Sequence, residues 1–428
     1  MKTLIIGLGK SGRAAYDLLL QEGDRVVGTD DNADLLKKLA SEGIEVNPQP
    51  NVEEFDRIIL SPGVPPTHSL YLKAVEIGKE IIGEAEFALS RLKQPCIAIT
   101  GTNGKTTVTL LAEHILKECG LQARALGNVG TPLTSYAGGQ EIMVVELSSF
   151  QLELMKTPIV DVGIILNITP DHLDRYTTME GYAKAKCRLQ DLIKPEGAFW
   201  VHQHVVEEFK SLLKKNYQTY GADCNCTCWT DRTVLKMGEK IETILPILYR
   251  DLGEHESENV LAAWILCKKF GVSSAAFLAG LETFKKPAHR IEFIASLNGV
   301  DYFDDSKGTN IDATIKAVAA MKGQVVLIAG GVDKGASYEP WKKIFAGKVK
   351  QVIAIGQAAA KIAQELKPEV EVEIVPTLQD AVERARDRAQ AGMSVLLSPG
   401  CSSYDMFRDY AHRGDEFKKF VLEERREP

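Results

Sequence analysis

The sequence predicts an α/β fold of three domains: a Rossmann-like domain, a central domain around a phosphate loop, and a second Rossmann-like domain. Three observations carry this expectation. Short apolar runs without polar alternation recur along the 428 residues. Each is followed by a helical pattern, as in parallel sheets covered on both faces. Two glycine turns, "GLGKSG" at 7–12 and "GTNGKTT" at 101–107, stand between such a run and such a helix. The length suits roughly two to four domains, each burying its own core. Boundaries are placed at 1–93, 94–287 and 288–428, with joints near Gln94 and Pro287.

The first domain reads as strand "TLIIGLG", helix "GRAAYDLLLQEG", strand "RVVGTDD", helix "ADLLKKLASEG" and strand "DRIILSPG". Gly7, Gly9 and Gly12 fit G-x-G-x-x-G, and Asp30 ends the next strand about where a ribose-binding acid belongs. Taken alone, this signature points to a dinucleotide cofactor. The "SPGVPP" after the third strand adds a second backbone-rich loop at the C-terminal sheet edge, where open parallel sheets bind ligands.

The central domain opens on the apolar run Cys96 to Ile99, then Gly101, Gly104, Lys105, Thr106 and Thr107, and a helical pattern at once. A strand, a glycine turn and a helix N-terminus offer backbone N–H groups and a positive dipole end to an anion. Lys105 would reach terminal phosphates, and Thr106 or Thr107 would hold Mg²⁺. The standard spacing wants a glycine where this chain has Ile99, so the match is to a shortened variant. Further strands, "EIMVVEL" and "VDVGIILNI", alternate with helices "GYAKAKCRLQDLI" and "SENVLAAWILCKKFG". Glu146 ends the first of these strands, and His172 follows the second in "NITPDHLDRY". Both belong at the edge where the phosphate loop lies, and a carboxylate there suits a hard cation. Each residue alone also reads as an ordinary strand-end acid or loop histidine.

In "EGYAKAKCRLQDLI", Tyr182, Lys186, Leu189 and Ile193 share one helix face, with Lys184, Arg188 and Asp191 on the polar stripe. Lys186 is therefore inward, where an unpaired ammonium is costly. The pattern alone favours a lysine that snorkels outward; an active-site lysine is the sharper alternative. The run "CNCTCW" alternates Cys224, Cys226 and Cys228 at strand spacing, which puts all three on one face. No further cysteine or histidine pair stands nearby at structural-zinc spacing, so an unremarkable strand or loop is expected.

The last domain follows "KKPAHRIEF". Strands "GQVVLIAGG", "KQVIAIG", "VEIVPT" and "MSVLLSPG" alternate with helices such as "QDAVERARDRAQAG". Three polar loops, "DDSKGTN" at 304–310, "GGVDKG" at 330–335 and "SPGCSSYDMF" at 398–407, follow strands. They carry Lys307, Thr309, Lys334 and Ser403 to one sheet edge and suit an anionic substrate.

Composition narrows the function. With 45% apolar and 25% charged residues, the chain reads as an ordinary globular protein. A net charge of −7 argues against a nucleic-acid binder. No apolar run is long enough to span a bilayer, and the N-terminus has no long apolar signal core. A cytoplasmic protein with its eight cysteines as thiols is expected.

Together these stretches resemble the muramyl ligases over essentially the whole chain. "GTNGKTT", "NITPDHLDRY", "YAKAK", "KPAHRIE", "DDSKGTN" and "LSPGCSSYDMF" follow that family's order and approximate spacing. "VELSSFQLE" at 145–153 with "LGNVG" at 126–130 is similar to the branch that adds D-glutamate. The Asp-Asn-Pro-Arg string of the diamino-acid-adding branch does not occur. The resemblance implies an ATP- and Mg²⁺-dependent ligase of peptidoglycan precursor synthesis, working as a monomer with two Mg²⁺ ions. ATP would phosphorylate the carboxylate of UDP-N-acetylmuramoyl-L-alanine, and the amine of D-glutamate would attack the acyl phosphate. It further implies catalytic roles for Lys105, His172 and Lys186, and a metal site of Thr106, Glu146, His172 and Lys186, the last as a carbamate. ATP would be held by Gly101, Thr102, Asn103, Gly104, Lys105, Thr106 and Thr107 with Asn259, Arg290, Asp305 and Lys307. Ser11, Asp30, Asp31, Gly63, Asn128 and Ser148 would hold the UDP substrate. Thr309, Lys334, Ser403 and Tyr410 would hold D-glutamate.

The chain departs from the family where "GEHESEN" has Glu256 in place of a frequent Asn, and where Tyr410 replaces a frequent Phe. Three readings compete. Nearest is another amide ligase of the same superfamily, either another Mur-type ligase or one like folylpolyglutamate synthetase, which would not need residues 1–90. An NAD-dependent oxidoreductase leaves the phosphate loop and the acid–histidine pair without a task. A non-catalytic nucleotide sensor would not need Lys186 or His172.

Overall fold

The computed structural model describes residues 1–136, 138–214, 216–246 and 253–423, without the side chain of Glu254. It divides into two compact units, Met1–Ile168 with Glu180–Phe284, and Thr169–Met179 with Lys285–Pro428.

Unit 1 contains two sheets. Strands β1 (Lys2–Ile6), β2 (Arg25–Thr29), β3 (Arg57–Leu60) and β4 (Glu80–Gly83) form a parallel sheet in the order β2-β1-β3-β4. The fourth strand was not expected: "EIIG" is too short to show a period. The turn after β1 is closed by two glycines. Gly7 has φ +87°, and a Cβ on Gly12 would overlap the Gly7 carbonyl, so the helix Lys10–Gln21 packs directly against the strand end.

The second sheet has nine strands among the described residues, in the order β13-β12-β11-β10-β9-β8-β5-β7-β6. These are β5 (Cys96–Thr100), β6 (Ala123–Gly127), β7 (Ile142–Glu146), β8 (Val160–Ile165), β9 (Ile193–His202), β10 (Gln218–Gly221), β11 (Cys228–Thr230), β12 (Val234–Met237) and β13 (Lys240–Ile244). All pairs from β6 to β11 are parallel, and β12 and β13 close the edge antiparallel. Fully buried β5 lies between β7 and β8, packed beneath the helices Lys105–Glu118 and Glu254–Lys268. The phosphate loop leaves the sheet from this central strand.

Of the strand or loop expected for the cysteine run, the structure shows mostly loop, so the three cysteines do not share one strand face. The Asp223 side chain accepts the Asn225 N–H and its carbonyl the Cys226 N–H, so residues 223–226 turn, and only Cys228 enters β11. Asp and Asn supply turn chemistry that outweighs alternation. Cys224 is exposed and Cys226 and Cys228 are buried, and none of them belongs to the three-donor group found among the described residues, which is His289, Glu292 and Asp304.

Unit 2 holds one sheet, β14-β15-β19-β16-β17-β18, of β14 (Glu292–Leu297), β15 (Val300–Asp304), β16 (Val325–Gly330), β17 (Val349–Ile355), β18 (Val372–Ile374) and β19 (Ser394–Leu397). Only β14 runs antiparallel. The neighbours β15, β19 and β16 send their following loops to the same edge, as the sequence predicts. Among the described residues, no helix is long and apolar enough to cross a membrane.

Candidate active site

In unit 1, the phosphate loop is held from three sides. Lys105 opens its helix and turns back, donating to the carbonyls of Gly101 and Thr102 at 2.8 Å each. Thr106 and Thr107 follow in the first helical turn, half-buried. Gly104 has φ +86°, and a Cβ there would strike Asn259 Oδ1, so Asn259 reaches the loop. Asn167 was missed by sequence reasoning. Its side chain accepts the Asn103 N–H at 2.8 Å and donates to the Asn103 carbonyl at 3.0 Å. Its own carbonyl accepts the Thr102 N–H at 2.9 Å. The available signal was a polar residue directly after an apolar strand at this edge.

Glu146 ends β7 in register with Ile99 of β5. Its side chain is buried: Oε1 accepts from Asn128 Nδ2 at 2.8 Å, and Oε2 has no hydrogen-bond partner among the described residues. A buried carboxylate oxygen without a donor is costly. A hard divalent cation is a ligand that such an oxygen suits, so these residues fit Mg²⁺.

Lys186 is 1% exposed. The expectation that it snorkels is overturned. The helix Met179–Cys187 places it inward, and its Nζ donates to the Gly101 carbonyl at 2.7 Å, 4.6 Å from the Tyr182 ring centre. A carbonyl and an aromatic face offset the lost hydration. Lys105 and Lys186 therefore meet at one carbonyl oxygen of the glycine loop. Ile193 leaves the shared face, because the helix tightens into a 3₁₀ turn over Arg188–Leu192 and Ile193 begins β9.

The residues read as UDP contacts lie at the C-terminal edge of the first sheet or on loops of the second. Ser11 lies within the glycine signature, in the first turn of the helix Lys10–Gln21, and Gly63 follows β3. Asp30 is engaged by the turn: it accepts the Leu8 N–H at 2.7 Å and the Asn32 N–H at 2.9 Å. Asp31 faces His68 at 3.2 Å. Ser148 caps the helix Ser149–Leu152 in a capping box with Gln151. Glu84, also missed, is buried and accepts both the N–H and the hydroxyl of Thr134, whose hydroxyl also lies 3.4 Å from the Ser11 carbonyl. Burial raises its pKa.

Unit 2 carries the other group. His172 stands at φ +55°, uncommon for a residue with a side chain. Its N–H donates to Asp171 Oδ1 at 3.0 Å, and Lys334 Nζ reaches the same oxygen at 3.0 Å. The loops after β15, β16 and β19 interlock: Gly400 N–H donates to Gly308, Gly330 N–H to Pro399, and Val332 N–H to Ser402. Asp305 is buried, with Ser398 Oγ on its Oδ2 at 2.7 Å. Desolvation pushes its carboxyl up to about 7, with Arg290 opposing. Lys307 lies 4.0 Å over the Tyr410 ring, so an expected ATP residue and an expected D-glutamate residue touch. Thr309 donates its N–H to the Lys307 carbonyl, and Ser403, 3% exposed, accepts the Phe407 N–H. Arg413, missed in the sequence, is 1% exposed and donates to Ser306 Oγ, the Ser306 carbonyl and the Cys401 carbonyl, tying two loops together. The 413 position looked like one more helix charge, and only packing reveals its task.

A glycine loop holding two lysines in unit 1, and polar loops interlocked at one sheet edge in unit 2, suit the class of ATP-dependent ligases, and comparison with known proteins shows that class. Residues 99–267 match the family described as Mur ligase middle domain, and residues 289–401 match that described as Mur ligase, glutamate ligase domain. The chain belongs to the Mur ligase family and is an ATP-dependent ligase. Among its relatives is the UDP-N-acetylmuramoylalanine–D-glutamate ligase of Protochlamydia amoebophila (strain UWE25), 46% identical over 432 residues, covering 98% of this chain and 97% of that protein. A protein of the same name from Thermoanaerobacter sp. (strain X514) is 40% identical over 456 residues, covering 99% of each. The fold is shared with the UDP-N-acetylmuramate–alanine ligase of Thermotoga maritima, at a TM-score of 0.65 and 19% identity, over 99% of this chain and 100% of that one.

Proposed function

We propose that this chain joins D-glutamate to UDP-N-acetylmuramoyl-L-alanine, releasing ADP and phosphate, and works as a monomer in the cytoplasm. Segments 1–93, 94–287 and 288–428 would act as the UDP-substrate, ATP and amino-acid domains. The observation that carries the reading is the meeting of the Lys105 and Lys186 side-chain nitrogens at the Gly101 carbonyl of the glycine loop. The full-length likeness to relatives of that name supports the choice of D-glutamate.

A carboxylate oxygen is a poor leaving group, and phosphorylation makes it a good one. Lys105 and the backbone N–H groups of 101–107 would follow the charge spreading over the transferred phosphoryl group. Thr106, Glu146, His172 and Lys186 would hold Mg²⁺, two ions in all, which supplies further charge neutralisation when bound. Lys186 as a carbamate would join that oxygen shell as an anion. Asn259, Arg290, Asp305 and Lys307 would position ATP. Ser11, Asp30, Asp31, Gly63, Asn128 and Ser148 would hold the uridine-linked substrate. Thr309, Lys334, Ser403 and Tyr410 would hold the carboxylates of D-glutamate, with Lys334 as the anchor.

The test is ADP release on mixing ATP, Mg²⁺, UDP-N-acetylmuramoyl-L-alanine and each candidate amino acid. Turnover is expected with D-glutamate and all four components together. Equal or better turnover with L-alanine or a diamino acid would overturn the assignment.

A further inference from the structure

The loop that carries Lys334 is fastened by a buried hydrogen-bond chain that none of the roles above uses. Tyr338 is 1% exposed, and its hydroxyl lies 3.1 Å from Asp333 Oδ1 and 3.0 Å from Cys401 Sγ. Chemistry sets the direction of this chain. A carboxylate only accepts, so the phenol gives its single proton to Asp333, and the thiol of Cys401 donates to the phenol oxygen. Burial holds that thiol up to about 11, so it keeps its proton at neutral pH. The second oxygen of Asp333 takes Lys361 Nζ at 2.9 Å, and the same ammonium donates to the Ala336 carbonyl at 2.9 Å. Three backbone pieces are thereby joined: the turn after β16, the loop after β19, and the helix Ala359–Leu366. Lys334 follows Asp333 directly, and Ser403 stands two residues after Cys401. Tyr338 also lines the same small cavity as Lys334 and Asp171.

We infer that Tyr338 is a positioning residue for the amino-acid substrate. Its hydroxyl holds the Lys334 turn and the Ser403 loop in one geometry, with Asp333 and Lys361 behind it. This rests on Lys334 as the anchor of D-glutamate given above. Phenylalanine would fill the same volume and keep the edge contact with Trp341, whose ring centre is 5.0 Å away, while cutting the chain.

Steady-state kinetics test this. Tyr338→Phe is expected to raise KM for D-glutamate about five- to twentyfold, with kcat and KM for ATP within about twofold. Cys401→Ser, which keeps a donor, is expected to stay near wild type. Lys334→Ala separates the two claims. If Lys334→Ala leaves KM for D-glutamate unchanged, the reading of the site fails. If it raises KM and Tyr338→Phe does not, the positioning role alone is overturned. A Tyr338→Phe that raises all three KM values together also overturns it. Should that variant not fold, Lys361→Gln at the half-exposed end of the chain carries the test. A selective rise in KM supports the role, and an unchanged KM overturns it.

Discussion

Asp305 directly follows β15, with the Ser398 hydroxyl on its carboxylate and a carboxyl pushed up to about 7 by burial. Its unfolded value is about 3.9. Between those two values the folded protein keeps a proton that the unfolded chain releases, so stability falls as pH rises. The contribution is full below about pH 4 and is lost on passing about pH 7. Asp305→Asn removes the buried charge and keeps an oxygen for Ser398. In urea titrations the ligand-free variant should be about 1–3 kcal/mol more stable than wild type at pH 8, and equal to it near pH 4. Its ligase activity should fall about a hundredfold or more if the residue positions ATP. A variant no more stable at pH 8 would show that Arg290 and Ser398 already compensate the charge. Lys186 gives a second residue-scale prediction. A carbamate forms only from the neutral amine, and once formed it is an anion able to join a hard cation's oxygen shell. Lys186→Ala should lose about a hundredfold or more in kcat, and acetate should restore part of it by supplying a carboxylate. Near-normal turnover of the variant, with no carbamate signal from the wild type in carbon-labelled bicarbonate by NMR, would make this lysine structural.

At the scale of elements, the first glycine signature separates into required and spare positions. A Cβ on Gly12 would overlap the Gly7 carbonyl, while a Cβ on Gly9 meets nothing within 4 Å. The Gly7 backbone cannot yield freely, because its N–H bonds the Thr29 carbonyl at 2.8 Å. Gly12→Ala should cost about 2–4 kcal/mol in chemical denaturation, and Gly9→Ala less than about 1 kcal/mol. Equal effects would mean that the helix Lys10–Gln21 shifts to make room. The same turn uses the Asp30 carboxylate as a brace for the Leu8 N–H. Asp30→Ala should therefore lower stability as well as UDP-substrate affinity, with ATP affinity near normal. Loss of affinity without loss of stability would show that the brace is dispensable.

For the whole molecule, the decisive feature is that two compact units each enclose their own apolar clusters. Domains with separate cores commonly unfold in more than one step. Differential scanning calorimetry should resolve at least two transitions. UDP alone should raise the one assigned to unit 1, since a ligand stabilises only what binds it. A single two-state transition, moved as a whole by UDP, would show that the units unfold as one. The four-stranded sheet belongs to unit 1 with the nine-stranded one, and buried Glu84 joins them by accepting from Thr134.

Strand–glycine–helix order, the phosphate loop and the inward face of Lys186 were legible in the chain because they depend on near neighbours. Apolar runs select buried strands, glycines select tight turns, and a helical period selects a face. The family likeness was legible for the same reason, since its motifs are contiguous. What only the tertiary structure decided depends on residues far apart in the chain. Asn167 closes the loop at Asn103, Arg413 reaches Ser306, and Tyr338 meets Cys401. The turn at Asp223 interrupts an alternation at strand spacing, and the head group of Lys186 stays buried rather than snorkelling because the Gly101 carbonyl receives it. Periodicity reports which way a side chain faces; the partner that makes its burial tolerable is supplied by another part of the fold.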